Sequence, residues 1–554
     1  MIAIEADGVI TVGRKTLAPA LRLRLAGVLL LALAGLGCGD QFRPVALPIP
    51  APTPNPAPAQ FVAALSSNGP FNPGAISRID VSGDTVLNVL AAGVAPVHAA
   101  WLPNGTKIYV ANSGEDTVSA TSSASSTSAT TISLPQLCNS GTCAPSRPVF
   151  VHSTENGKMY VANAGNGTVA VINAVSDVVI AEVAVDPMFA GNPLPLPNPP
   201  AKPVALAELP NSQKIYSVNQ GNSTVTSIST VDDTVFAAIH IGAPPIWAVA
   251  GSDSADVYVL DTSGTISVID TLSDTVVATV PVAAGANFMF LDTVGNRLYV
   301  TNPSAGTLSI FDVAGKVLTA HAGSPLTITP ALGSACVSAP QPTSVTVLGD
   351  GTRAYVASFQ ADAGGAVCTQ ATVINTAQDT VSTIIPLAVG ADDSASTGCG
   401  SARFRVFASA TPGGSGSNFK VFVSQCDAGS VAVIDTFVSN TGTNHHPADV
   451  LEANIPATPG SFAATQVSIA SASQTSSSTT YTYTLLNGPG LQVGETIVVT
   501  GMSDAANNGN FVVSTVTGTT FTVANSAGVT TSAAQSGSGS VVPTQNPVFV
   551  TAAP

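Results

Sequence analysis

Apolar and polar positions alternate along most of this chain in short runs, and the runs recur as one sentence. In the stretch from Lys158 to Val185 a run KMYVAN is followed by a Gly/Asn turn, an alternating run TVAVIN, a turn with Asp, and a third run VVIAEV. Period-two alternation of β-branched and aromatic residues between turn clusters predicts strand, turn, strand, turn, strand. The turn residues Asp, Asn and Gly bond their own backbone or take left-handed conformations. The same pattern returns with Tyr109, Tyr160, Tyr216, Tyr258, Tyr299, Tyr355 and Phe422 in one position.

A fourth run, opening with proline, precedes most copies: Pro96-Val97-His98, Pro148-Val149-Phe150, Pro203-Val204-Ala205, Pro245-Ile246-Trp247 and Pro342-Thr343-Ser344. Proline suits the first residue of an edge strand, where no ladder donor is needed. Four antiparallel strands per repeat, repeated radially, predict an all-β fold, a β-propeller of four-stranded blades.

Residues 61–95 make a unit without a leading strand, and seven further units follow, so eight blades are expected. An open first blade would leave an unpaired edge. The stretch Asn546-Pro547-Val548-Phe549-Val550 reads like Arg147-Pro148-Val149-Phe150-Val151, so 544–554 is expected to supply the missing strand and close a propeller over 61–461. Residues 462–543 then become an inserted small β module, with runs at 480–485, 495–499, 510–513 and 519–523. The alternative is seven blades and a plain C-terminal domain.

The repeat resembles the YVTN family of β-propeller repeats, through Tyr109-Val110-Ala111-Asn112, Tyr160-Val161-Ala162-Asn163 and Tyr299-Val300-Thr301-Asn302, with second halves such as Val268-Ile269-Asp270. The resemblance covers roughly residues 61–455. It implies the propeller fold. For activity it implies only a range, from surface-layer and periplasmic proteins of unknown ligand to distant lactonase-like enzymes.

Composition narrows the partners. Charged residues are 9% of the chain and the net charge is −15, with no basic patch to neutralise phosphates, so no nucleic acid is expected. The N-terminus reads as a signal peptide over 1–37: Arg14, Lys15, Arg22 and Arg24 precede the apolar run from Leu25 to Leu36. Leu36-Gly37-Cys38 looks like a bacterial lipoprotein processing site with Cys38 as the lipidated residue, although Gly35 stands where Leu is usual. Residues 38–60 then form the anchor site and a stalk, because PVALPIPAPTPNPAP favours polyproline II, about 45 Å long at about 3.1 Å per residue. An outer-membrane or cell-surface lipoprotein is the expected address, with the periplasm as alternative.

Six further cysteines in an exported chain predict disulfides. Position within the blades pairs Cys138 with Cys143, Cys336 with Cys368, and Cys399 with Cys426. All six map to the face carrying the inter-blade connections, where the long segments 186–202, 320–341 and 390–402 and the loop 360–370 also fall. Two positions beyond the leading proline, the blades carry His98, Phe150, Ala205, Trp247, Phe288, Ser344, Arg405 and Phe549. His98, Phe150, Trp247, Phe288 and Arg405 are therefore candidate tunnel-lining residues, either gripping a flat ligand or wedging neighbouring blades apart. His98 and His152 with Glu208 could supply metal ligands, but single histidines in such a repeat are usually packing residues, and neither a metal nor a cofactor is expected. His445-His446 belongs to a polar turn, and Asp80, Asp270, Asp312 and Asp435 read as strand-closing caps. No catalytic set emerges from spacing.

Three functional classes remain. The first is a non-enzymatic binding or scaffold protein of the cell envelope, engaging a protein, glycan or envelope component and held to the membrane by its lipid. The second is a lactonase-like or other metal-dependent hydrolase with its site in the central funnel. The third is a structural surface-layer component.

Overall fold

The computed structural model describes residues 3–4, 10–11 and 60–554, apart from 69–71, 124–127, 140–141, 186–200, 393–398, 413–418, 438–447, 458–464, 488–489, 492, 494, 532–533 and 542–545. The proposed leader apart from its strands at 3–4 and 10–11, Cys38, the stalk up to 59, most of the segment 186–202 and the His445-His446 turn lie outside the described residues. In the N-terminal unit, Met1–Pro58, the described strands Ala3–Ile4 and Ile10–Thr11 pair antiparallel.

The second unit, Ala59–Pro554, is an all-β propeller of eight four-stranded blades with a closed six-stranded barrel. Blade 3 is representative: Pro148–Ser153, Lys158–Asn163, Thr168–Asn173 and Val178–Ala184 form a meander from the axis outwards. Innermost strands of successive blades contact one another all round the ring. In blade 1 that strand is Asn546–Ala552, which pairs antiparallel with Phe61–Ser67, so both ends of the unit share one sheet. The repeated aromatic of the second strand is what blades 2 to 8 pack on: Tyr109, Tyr160, Tyr216, Tyr299, Tyr355 and Phe422 are wholly buried and Tyr258 nearly so.

The leading prolines mark bulges. Register shifts between Pro96 and His98, Pro148 and Phe150, Pro203 and Ala205, Pro245 and Trp247, and Pro342 and Ser344. An extra residue at each site bends the strand and re-aims the following side chain. Its carbonyl also leaves the ladder, and a second partner must satisfy it.

A polar latch repeats between blades. Lys158 and Tyr160 of blade 3 both bond Asp233 of blade 4, at 2.8 and 2.5 Å. Lys107 and Tyr109 hold Asp177 in the same way, and Lys214 and Tyr216 hold Asp274. Arg353 and Tyr355 hold Asp449; Arg297 pairs with Asp379, and Lys420 with Asp84. Each of these aspartates sits in the turn before its blade's fourth strand with φ between 48° and 61°. Asp tolerates that left-handed region better than most side chains. Of the four aspartates read as caps, Asp80, Asp270 and Asp435 accept backbone N–H bonds two residues on, from Ser82, Leu272 and Phe437. Asp312 instead accepts from His321 at 2.9 Å.

The barrel, in the order Gln466–Thr475, Ser478–Asn487, Thr520–Ala524, Gly509–Thr517, Thr496–Thr500 and Gly537–Val541, lies in the connection from blade 8 to the closing strand. Its own core includes Val467, Ile469, Tyr481, Ile497 and Phe521. Glu495 of the barrel accepts a 2.7 Å bond from Asn72 in the second-to-third loop of blade 1.

Candidate functional site

One inner-strand position per blade, just after the bulge where there is one, faces the axis, and there the rings meet. His98 stacks on Phe150 at 3.8 Å between centroids, Phe150 contacts Trp247 at 5.6 Å, and Trp247 contacts Phe288 at 4.7 Å. The circuit runs on from Phe288 to Phe407 at 5.7 Å, Phe407 to Phe549 at 4.5 Å, and back to His98 at 4.5 Å. Six blades thus contribute a closed loop of six rings. Blades 4 and 7 contribute Ala205 and Ser344 at the equivalent register. Phe404 fills the middle, touching Trp247, Phe288 and Phe407. All seven side chains are buried. The channel is plugged at this level, and the geometry favours edge and tilted contacts over open ring faces.

Arg405, expected in this ring, is elsewhere. It pairs with Asp427 at 2.6 Å and with Asp392, and lies over the Phe359 ring. Blade 8 has neither leading proline nor bulge: Val406 pairs with Gln425 and Phe407 with Ser424 in unbroken register, so the ring position falls on Phe407. Counting from a proline that is absent placed the residue two positions early.

Arg403 and Phe404 belong to the connection from blade 7 to blade 8, tied down by the Cys399–Cys426 disulfide. Arg403 spans the channel mouth. Its guanidinium donates to the carbonyls of Val204 and, at 2.7 Å, Ile246, which are the bulge residues of blades 4 and 5. It lies 4.7 Å from the Trp247 ring centroid, within cation–π range. The side chain keeps exposed surface, but the rings of Phe150, Trp247 and Phe404, 4.7 to 5.9 Å from its guanidinium carbon, partly desolvate it. This desolvation lowers its pKa to about 10, so it remains charged at neutral pH. Neither residue carried a sequence signal, because the connecting segment lies outside the repeat.

Burial holds His98 well below the usual histidine value, helped by the charge of Arg403, so it is neutral; its Nδ1 accepts from the Val151 N–H at 3.4 Å. His152 lies 3.4 Å from Glu208, whose second oxygen is buried without a hydrogen-bond partner. The three candidate ligands do not converge: among the described residues no three His, Cys, Asp or Glu side chains form a possible metal site.

The other disulfides lie on the face of this mouth. Cys138–Cys143 closes a small ribbon in the blade 2 to blade 3 connection, and Cys336–Cys368 ties the connection entering blade 7 to that blade's third strand. No helix of the described residues is long and apolar enough to cross a membrane.

Fold and site together define an eight-bladed β-propeller with a plugged axis and one elaborated face. Scans against family models and curated proteins returned no match. Among solved structures, Kuenenia stuttgartiensis hydrazine synthase is 16% identical, with 62% of this chain and 96% of that chain covered at a TM-score of 0.42. A functionally unknown protein from Desulfotomaculum acetoxidans is 13% identical over 58% and 94% of the two chains, at 0.41. The Cps50 (Swd1) β-propeller domain of Myceliophteria thermophila is 9% identical over 61% and 95%, also at 0.41.

Proposed function

We propose that this protein is an exported, lipid-anchored β-propeller of the YVTN-repeat type that binds a component of the cell envelope through its elaborated face. The observation that carries the reading is where the elaboration gathers. The three disulfides, the Arg403 strap and the barrel all arise from inter-blade connections or second-to-third loops, which leave the ring on one side. The first-to-second turns of blades 2 to 7, on the other side, are only four or five residues long. Disulfide-stapled loops on a rigid scaffold are the usual way to present a recognition surface. Disulfides also fit an oxidising compartment, in keeping with the leader and Cys38. The aromatic plug occupies the funnel that a central hydrolytic site would need, which favours display over catalysis.

The test compares the full chain with its Cys38→Ser variant in a bacterial host that processes lipoproteins. The wild type should partition into detergent with the membrane fraction and the variant into the aqueous phase. The soluble variant should then cosediment saturably with purified envelope fragments. Identical partitioning of the two would sink the anchor, and no cosedimentation would sink the binding role.

A further inference from the structure

Arg403 differs from the ion-paired cations of the described residues in what it meets. Eight other cationic side chains, Lys107, Lys158, Lys214, Arg297, Lys316, Arg353, Arg405 and Lys420, sit against Asp or Glu. The guanidinium of Arg403 instead meets two carbonyls and a Trp face, with no carboxylate partner among the described residues. Among the described residues, the acids nearest in sequence are Asp392 and Asp427, and both are engaged by Arg405. Glu208, on the inner strand of blade 4, is engaged by His152.

Arginine has five N–H donors in a planar fork, and two bonds to carbonyls leave three for a ligand. The fork is held before any ligand arrives, by the Cys399–Cys426 staple at one end and the two bulge carbonyls at the other. Little ordering cost remains to be met on binding. Beneath it the aromatic plug excludes water, and a low-dielectric floor strengthens a charge-assisted bond.

We infer that Arg403 anchors an oxyanion site at the channel mouth, taking the carboxylate of a small acid, such as a sugar acid, or a phosphate group. The inference rests on reading this face as the one that binds, and it names the chemistry the ligand must carry.

The test titrates the soluble full chain with sodium glucuronate and with inorganic phosphate, against sodium chloride at matched ionic strength. Calorimetry is read alongside Trp247 emission in a Trp101→Phe background. At least one oxyanion should bind saturably, and which one separates an acidic sugar from a phosphate source. Arg403→Gln should weaken that binding tenfold or more, whereas Arg403→Lys should retain part of it; near-UV dichroism and melting curves check that both variants fold. No saturable binding of either anion, or unchanged affinity in Arg403→Gln, overturns the site. A flat oxyanion titration with envelope cosedimentation intact overturns the site and leaves the face's role standing. Saturable oxyanion binding without cosedimentation supports the site and sinks the wider reading.

Discussion

At the residue scale the latch explains why Lys-x-Tyr opens so many second strands, and the interface between blades 5 and 6 shows what happens without it. Asp256 stands where six other blades carry Lys or Arg, and Gly315, with φ 58°, stands where six carry the latch Asp. Tyr258 donates to the Gly315 carbonyl at 2.8 Å instead. Both carboxylate oxygens of Asp256 are buried without a hydrogen-bond partner. Burial first, then repulsion from Asp253, raises its pKa above the ordinary 3.8. The folded chain therefore holds this proton to higher pH than the unfolded chain, and stability falls as pH rises from about 3.8 through the raised value. Asp256→Asn should raise the urea midpoint at neutral pH, with the gain disappearing near pH 3 to 4, roughly where the unfolded carboxyl is itself protonated. A gain of equal size at both pH values would refute the linkage. Asp256→Lys combined with Gly315→Asp should install the missing latch. A double-mutant cycle should then show favourable coupling of about 1–2 kcal/mol, since the six existing aspartates share the backbone conformation of Gly315.

At the scale of elements, the blades were legible because strand alternation and turn chemistry repeat, and position within the repeat also brought the cysteines to one face. Features depending on two repeats at once were harder to read. The latch aspartates Asp84 and Asp274 lie four residues beyond Asp80 and Asp270, which drew attention, and the latch partners are distant in sequence, 70 residues apart for Lys107 and Asp177 and 336 for Lys420 and Asp84. The plug was half legible: the ring position was read correctly in the bulged blades and at Phe288 in unbulged blade 6, but in blade 8 the count fell on Arg405 and missed Phe407, and Phe404 follows no repeat at all. The strap from Cys399 to Arg405 is the element most dependent on a single tie. Replacing Cys399 and Cys426 with Ser should cost about 2–4 kcal/mol, the usual range for a staple of this loop length. It should also release Arg403 from Trp247. In a Trp101→Phe background the emission maximum or intensity should change, and an unchanged spectrum would show that the two bulge carbonyls hold the strap unaided.

At the scale of the whole molecule, seven blades are built from consecutive strands and one joins the two ends of the unit. Val62 pairs with Ala552 and Leu65 with Phe549, and Trp101 of blade 2 donates to the Thr551 carbonyl at 3.2 Å. Contacts within a blade are local, whereas this closure spans the unit, so it carries a large loop-closure entropy and forms against that cost. Phe549 also completes the circuit of rings, so ring closure and plug depend on one strand. A chain ending at Gln545 would leave the strand Phe61–Ser67 as an apolar open edge beside blade 8, a template for pairing with other copies. The truncated chain should melt at lower temperature and sediment as oligomers, and a synthetic peptide of Asn546 to Pro554 added in trans should restore the monomer by occupying the vacant edge. A truncated chain that stays monomeric with an unchanged melting temperature would mean that the remaining inner strands close the ring by themselves.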